Sequence, residues 1–138
     1  MRPFEVLIAS HGPLASALLA AAEMICGSTQ GVSAVSLQPE DSPESFADRL
    51  RQALKPGTPT LILSDLYGGT PHNVACAVIG RDSNEVRCLA GVNLGLLIEA
   101  ITATEPLDDE LVGRLVTSSR DAIVDVSGRL AARKVTAS

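Results

Sequence analysis

Two residues whose side chains can do chemistry stand close behind apolar runs of strand length. His11 follows the run at residues 4–9, FEVLIA, and Asp65 follows the run at residues 60–64, TLILS. Open α/β sheets bind ligands at the carboxyl ends of their strands. If these two strands are neighbours, Asp65 can accept a hydrogen bond from one imidazole nitrogen of His11 and leave the other nitrogen unprotonated. That pairing predicts a nucleophilic histidine.

The loop after Asp65 has the composition of an anion-binding turn. Residues 68–71, GGTP, combine two glycines, whose backbone N–H groups can point inward, with the start of a helix. Thr70 is predicted to cap that helix, and its hydroxyl can donate to an oxyanion. A second helix begins beside His11. We therefore predict a phosphate cradle for a phosphoryl group on His11, formed by Gly12, Gly68, Gly69 and Thr70.

The chain lacks the motifs of a nucleotide-dependent kinase. It contains neither a Walker lysine motif nor a carboxylate cluster that would hold magnesium. If the donor is a phosphohistidine on another protein, neither feature is required, because that phosphoryl group is already activated. We expect no metal ion and no cofactor.

Each candidate residue also has an ordinary structural interpretation. A single histidine at a strand end is more often structural or solvated than nucleophilic, and Asp65 alone could be a solvated loop acid. The GGTP run alone is a common strand-to-helix turn. His72 lies beside the cradle but within the first helical turn, and we interpret it as exposed or secondary. The combination, rather than any one residue, favours chemistry.

Composition excludes several classes of protein. Lys and Arg total 11 against 16 Asp and Glu, and only three residues are aromatic, so nucleic acid is not an expected partner. The 138 residues suffice for one domain with its own core. The three cysteines lack zinc-site spacing and indicate reduced, mostly buried thiols. Without a signal peptide or an apolar stretch of membrane-spanning length, we expect a soluble cytoplasmic protein.

Strand and helix patterns alternate along the chain. This alternation predicts a doubly wound α/β domain, in which a mainly parallel four-stranded sheet has helices on both faces. The predicted strands are residues 4–9, 32–37, 60–64 and 85–90. After the fourth helix, apolar residues at helical spacing from Leu111 to Leu130 predict one last helix that begins at Asp108 or Asp109. We expect the domain to cover residues 1–130 and the tail, 131–138, to fray.

Three motifs in order resemble a known family. They are ASHGPLASALLAAAEMICG, LILSDLYGGTPHNVA and AGVNLGLLIEA. Together they resemble the enzyme IIA component of the mannose family of the bacterial phosphoenolpyruvate-dependent sugar phosphotransferase system. The resemblance extends over residues 4–127, nearly the whole chain.

The resemblance implies a phosphoryl relay. His11 would accept a phosphoryl group from the phosphocarrier protein HPr, with Asp65 as its orienting partner, and pass it to a histidine of the IIB component. It also implies a homodimer completed by an exchanged C-terminal strand, and an indirect link to the membrane components IIC and IID. Independently, loop position suggests Leu66, Tyr67 and Leu94 as partner-docking residues. Some members carry Trp where this chain has Tyr67, and Ser where it has Thr70, which bears on partner preference.

The same residues are compatible with other functions. A similar domain donates phosphoryl groups in a phosphotransferase-dependent dihydroxyacetone kinase, and a regulatory phosphoprotein could use the same histidine as a switch. A hydrolase built from Ser10, His11 and Asp65 is disfavoured, because adjacent strand residues point to opposite faces. The chain ends without a linker or IIB domain, so we expect a free-standing IIA protein. The resemblance implies that such a protein does not itself contact the transported sugar.

Overall fold

A computed structural model describes residues 2–80 and 85–137, with side chains described as far as residue 134. Strands and helices alternate through the first eight elements, and two helices follow. In chain order the elements are β1 (Glu5–His11), α1 (Leu14–Cys26), β2 (Val32–Leu37), α2 (Pro43–Ala53), β3 (Thr60–Ser64), α3 (Thr70–Ile79), β4 (Val86–Ala90), α4 (Leu94–Thr102), α5 (Asp109–Asp121) and α6 (Val126–Ala137).

The four strands form one parallel sheet in the order β2-β1-β3-β4. The chain therefore reverses its winding direction between β1 and β3, which are hydrogen-bonded neighbours with Ala9 opposite Ser64. This confirms the predicted four-stranded sheet. Within the described ranges no fifth strand joins it, and the exchanged C-terminal strand stays a prediction.

Helices cover both faces of the sheet, as predicted. Val6 and Ile8 of β1 pack with α1, α4 and α5, whereas Leu7 and Ala9 pack with α2 and α3. This alternation follows from the two-residue period of a strand. All five residues of β3 are buried, as a strand covered on both faces requires.

The start of α2 has the capping residue that the sequence predicts, whereas the start of α3 has a different one. Ser42 caps α2 by accepting a hydrogen bond from the backbone N–H of Ser45. At α3 the capping residue is Gly69, and no side chain caps the helix. Thr70, predicted as the cap, is instead the first helical residue, so its hydroxyl is not used in capping.

The single C-terminal helix predicted from Leu111 to Leu130 was wrong. Helix α5 ends at Asp121, and α6 starts after a short break. Asp125 explains the restart, because its carboxylate accepts a hydrogen bond from the N–H of Gly128 at 2.9 Å in the manner of a helix cap. Helix α6 continues to Ala137, so residues 131–137, where we expected fraying, are helical in the structure.

Strand β1 runs two residues farther than predicted and ends on His11 itself. Ser10 explains the connection to α1. Its side chain is fully buried, and its hydroxyl accepts a hydrogen bond of 2.7 Å from the N–H of Ala15 in the first turn of that helix. The strand end and the helix start are thereby tied together, and Gly12 makes the turn between them with a φ of 54°. In the described part of the chain, no helix is long and apolar enough to cross a membrane.

Candidate active site at the carboxyl ends of β1 and β3

The winding reversal brings His11 and Asp65 into direct contact. Asp65 Oδ2 accepts a hydrogen bond from the backbone N–H of His11 and also lies 2.9 Å from its ring Nδ1. Both separations are 2.9 Å, so one oxygen fixes both the strand end and the imidazole. The contact depends on the parallel register of β1 and β3, because each strand ends within two residues of the pair Ala9–Ser64.

This contact determines which ring nitrogen faces the cleft. With a carboxylate as its partner, Nδ1 carries the proton, and Nε2 of the neutral ring is left with its lone pair. Nε2 has no hydrogen-bond partner among the described residues. The His11 side chain is 45% exposed, whereas that of Asp65 is only 9% exposed. The arrangement presents a nucleophilic nitrogen to solvent while its orienting acid stays covered.

Gly69 packs directly against the His11 ring. A Cβ at position 69 would lie 2.8 Å from Cε1 of His11 and 3.5 Å from Nε2. The φ of Gly69 is −75°, which any residue adopts, so the glycine is needed here for close approach and not for backbone conformation. The loop therefore limits ring movement on the side next to the reactive nitrogen.

The four residues predicted to form the phosphate cradle differ in whether their hydrogen-bond donors are free. The N–H of Gly12 donates to Leu37 O, that of Gly69 to Leu66 O, and that of Gly68 to the ring Nδ1 of His72. These three amides are therefore occupied within the protein. The N–H and hydroxyl of Thr70, in contrast, have no partner in the described ranges. Of the four residues predicted to form the cradle, Thr70 at the start of α3 is the one that retains free donors.

A Ser-His-Asp hydrolase is not supported by this geometry. The Ser10 hydroxyl is buried and bonded to the α1 backbone, and its other contact is with the His11 carbonyl oxygen at 3.4 Å. It makes no hydrogen bond with the His11 ring. The described residues also contain no group of three or more His, Cys, Asp or Glu side chains that could hold a metal ion.

Comparison with known proteins decides the family. Residues 5–116 match the family model EIIA-man, described as the PTS system fructose IIA component, where PTS denotes the phosphotransferase system. The chain belongs to this family. It is 27% identical over 129 residues to the sorbose-specific EIIA component of Lacticaseibacillus casei, covering 91% of this chain and 93% of that protein.

Longer relatives and solved structures agree with this assignment. The chain is 31% identical over 123 residues to the mannose-specific EIIAB component of Escherichia coli K12, covering 86% of this chain but only 38% of that protein. The mannose/sorbose-specific IIA subunit from Enterococcus faecalis superposes with a TM-score of 0.84 at 35% identity, covering 91% of this chain and 96% of that one. The EIIA component from Streptococcus agalactiae gives 0.83 at 31% identity, covering 91% and 98%.

Within this EIIA-man chain, sequence reasoning underrated two residues of α3. His72 and Asn73 both contact Gly68, through its N–H and its carbonyl oxygen respectively. The spacing of four and five residues, across a strand-to-helix turn, could have indicated side chains that reach back to the loop. The His72 ring also contacts the Tyr67 ring, with centroids 4.8 Å apart and planes tilted by 44°.

The predicted docking residues differ in exposure. Leu66 and Tyr67 are 59% and 81% exposed on the loop that carries Gly69. Leu94 is half-buried and packs against the core, so it has less surface to offer. Leu14, which the sequence did not single out, is 42% exposed at the start of α1, close behind His11 in the chain.

The cysteines are less buried than expected. Cys76 is exposed and Cys26 and Cys88 are half-buried; all three are free thiols. Burial raises the pKa of the Cys88 thiol to about 11, so that thiol stays protonated and unreactive near neutral pH.

Gly69→Ala should displace the His11 ring, because its Cβ would overlap Cε1. We expect shifted NMR resonances of the His11 ring and a loss of about 1–3 kcal/mol in the free energy of unfolding. Gly57→Ala is the control, since Gly57 has a φ of 76° with open space around its Cβ position. It should destabilise by about 1–2 kcal/mol and leave the His11 resonances in place. Unmoved resonances in Gly69→Ala would contradict the packing described here.

Proposed function

We propose that this protein relays phosphoryl groups in sugar uptake, accepting one on Nε2 of His11 from phospho-HPr and passing it to a histidine of a IIB component. The observation that carries the proposal is the open Nε2 of a histidine whose Nδ1 is held by Asp65, in a chain of the EIIA-man family. Residues 1–130 would form the IIA domain, acting in a bacterial cytoplasm.

The transfer requires positioning and charge stabilisation. The lone pair of Nε2 attacks phosphorus in line with the P–N bond of phospho-HPr, and the imidazole of HPr leaves with the electrons of that bond. The proton on Nδ1 stays in place, so the phosphorylated His11 ring gains positive charge. Asp65 faces that charge at 2.9 Å and stabilises it more strongly than it stabilises the neutral ring.

The phosphoryl oxygens would be held by the start of α3. The free N–H and hydroxyl of Thr70 are the direct donors, and the positive end of the helix dipole supports them. Gly69 contributes by its lack of a side chain, which leaves room beside Nε2. Gly68 and Gly12 supply backbone turns with φ values of 85° and 54° rather than free amides.

Partner proteins would dock on the apolar rim of the site, which we define as Leu66, Tyr67 and Leu14, with Leu94 at its edge. Large apolar side chains that are exposed beside a reactive group are suited to form a desolvated interface. HPr and IIB would use the same rim in turn, since both must reach Nε2. The membrane components IIC and IID would be contacted only through IIB.

Labelling by phospho-HPr tests the relay. Incubation with phosphoenolpyruvate, enzyme I and HPr should add one acid-labile phosphoryl group, measured by intact mass, and His11→Ala should add none. The physical reason is that no other described histidine combines an open Nε2 with a carboxylate on Nδ1. Acid treatment of the labelled sample is the control. Stoichiometric labelling of His11→Ala would overturn the assignment of His11.

Asp65→Asn should keep the fold and slow the transfer. The amide can still accept from the His11 backbone, but it carries no charge to stabilise the phosphorylated ring, so we expect a rate at least about a hundredfold lower. Asp48→Asn is the control, since it removes one carboxylate that is 71% exposed and paired with Arg51 on α2. Rapid-quench measurement of the transfer rate separates them, and a wild-type rate in Asp65→Asn would disprove the role.

We further propose a homodimer. Val126 and Leu130 of α6 and Ile123 before it are 61%, 53% and 79% exposed, which is apolar surface that a second copy could cover. Leu130→Glu should then shift the mass in sedimentation equilibrium toward that of one chain. Ser127→Glu, an exposed substitution of equal charge on the same helix, should not. A single-chain mass for the wild-type protein would rule out the dimer.

A further inference from the structure

His72 and Asn73 hold the two sides of one glycine. The N–H of Gly68 donates to Nδ1 of His72 at 3.2 Å, and the carbonyl oxygen of Gly68 accepts from Nδ2 of Asn73 at 3.2 Å. Gly68 has a φ of 85°, and as a glycine it has no side chain that could restrict its backbone orientation. Two consecutive residues of α3 therefore help to place the glycine turn, together with the hydrogen bond from the Gly69 N–H to Leu66 O.

That turn lies against the phosphoacceptor candidate. Gly69 follows Gly68 directly, and its Cβ position is 2.8 Å from Cε1 of His11. Rotation of the two peptide groups that flank Gly68 would move Gly69 toward or away from the ring. The chain of contacts thus leads from His72 through Gly68 and Gly69 to His11.

The contact also assigns the state of His72. A backbone N–H can only donate, so Nδ1 must be the acceptor, and the proton of the neutral ring lies on Nε2. Nε2 is 3.5 Å from Sγ of Cys76, to which it can donate. Asn73 Oδ1 is also 3.2 Å from Nδ1. Only a ring protonated on Nδ1 would use that oxygen, and Gly68 would then lose its acceptor.

We propose that His72 is a positioning residue for phosphoryl transfer, which holds the Gly68-Gly69 turn against His11 through its unprotonated Nδ1. This inference rests on the proposed function, which supplies the reaction. His72 does not touch the phosphoryl group. It acts through the turn, by restricting the His11 ring to the orientation in which Nε2 faces the incoming phosphorus.

Two substitutions separate the acceptor from the ring. His72→Phe keeps a ring against Tyr67 but has no acceptor for the Gly68 N–H. His72→Asn loses the ring, and its side-chain oxygen takes nearly the place of Nδ1. We expect His72→Phe to lower the saturating transfer rate about tenfold with an unchanged KM for phospho-HPr. His72→Asn should restore that rate to within about threefold of wild type.

A spectroscopic signature tests the contact without any reaction. In the wild-type protein labelled with ¹⁵N, a scalar coupling should connect the Gly68 nitrogen with Nδ1 of His72 through the hydrogen bond. The His11 ring resonances should move in His72→Phe and remain near their wild-type positions in His72→Asn. Thermal unfolding of both variants shows whether a lower transfer rate results from a general loss of stability and not from the missing hydrogen bond.

The outcomes distinguish this inference from the proposed function. No coupling, or Nδ1 of His72 protonated at neutral pH, would overturn the inference, as would a wild-type rate in His72→Phe. If the transfer rates of both variants fall in line with their unfolding temperatures and His72→Asn does not restore the rate, His72 has only a structural role, and the inference is also overturned. If wild-type protein accepts no phosphoryl group, the proposed function fails. The His11 resonances then decide only whether His72 positions the His11 ring, and for that they must move in the Phe variant alone.

Discussion

The site depends on one carboxylate oxygen that holds two groups of the same residue. Asp65 Oδ2 binds both the backbone N–H and the ring Nδ1 of His11 at the junction of β1 and β3. The backbone contact fixes where the strand ends, and the ring contact fixes which nitrogen faces the cleft. Neither would form without parallel pairing of the two strands, because their carboxyl ends must lie at the same edge of the sheet. The sheet order is therefore the structural requirement for this pair of contacts.

Sequence reasoning succeeded where one physical rule dominated. The pairing of His11 with Asp65 could be predicted because strand ends in a doubly wound sheet converge at the reversal of winding. Apolar periodicity also located all four strands to within two residues. It failed at the C-terminal helix, since the spacing from Leu111 to Leu130 is compatible with one helix or two. The second helix starts where the Asp125 carboxylate caps it, and a capping residue does not contribute to apolar periodicity.

The turn at residues 68–71 could be located from the sequence, but its hydrogen bonds could not be described from it. Residues 68–71 have the composition of an anion-binding turn, yet composition does not say which amides are already occupied. In the structure, Gly68 and Gly69 donate to His72 and Leu66, and Thr70 is left with free donors. Contacts between a turn and the side chains of the following helix depend on ring orientation, which has no sequence signature. The contact of His72 with the Gly68 N–H therefore became visible only in three dimensions.

A covered carboxylate with an unused oxygen is costly in the resting protein. Asp65 Oδ1 is buried and has no hydrogen-bond partner among the described residues, an arrangement that typically costs about 1–3 kcal/mol. The other oxygen of this carboxylate, Oδ2, is the one that contacts the His11 ring. On the proposed pathway the His11 ring becomes positively charged as phosphorus bonds to Nε2, and the hydrogen bond from the neutral ring to the Asp65 carboxylate becomes an ion pair. Because the gain arises only as charge develops, it lowers the barrier to transfer without stabilising the free histidine to the same degree.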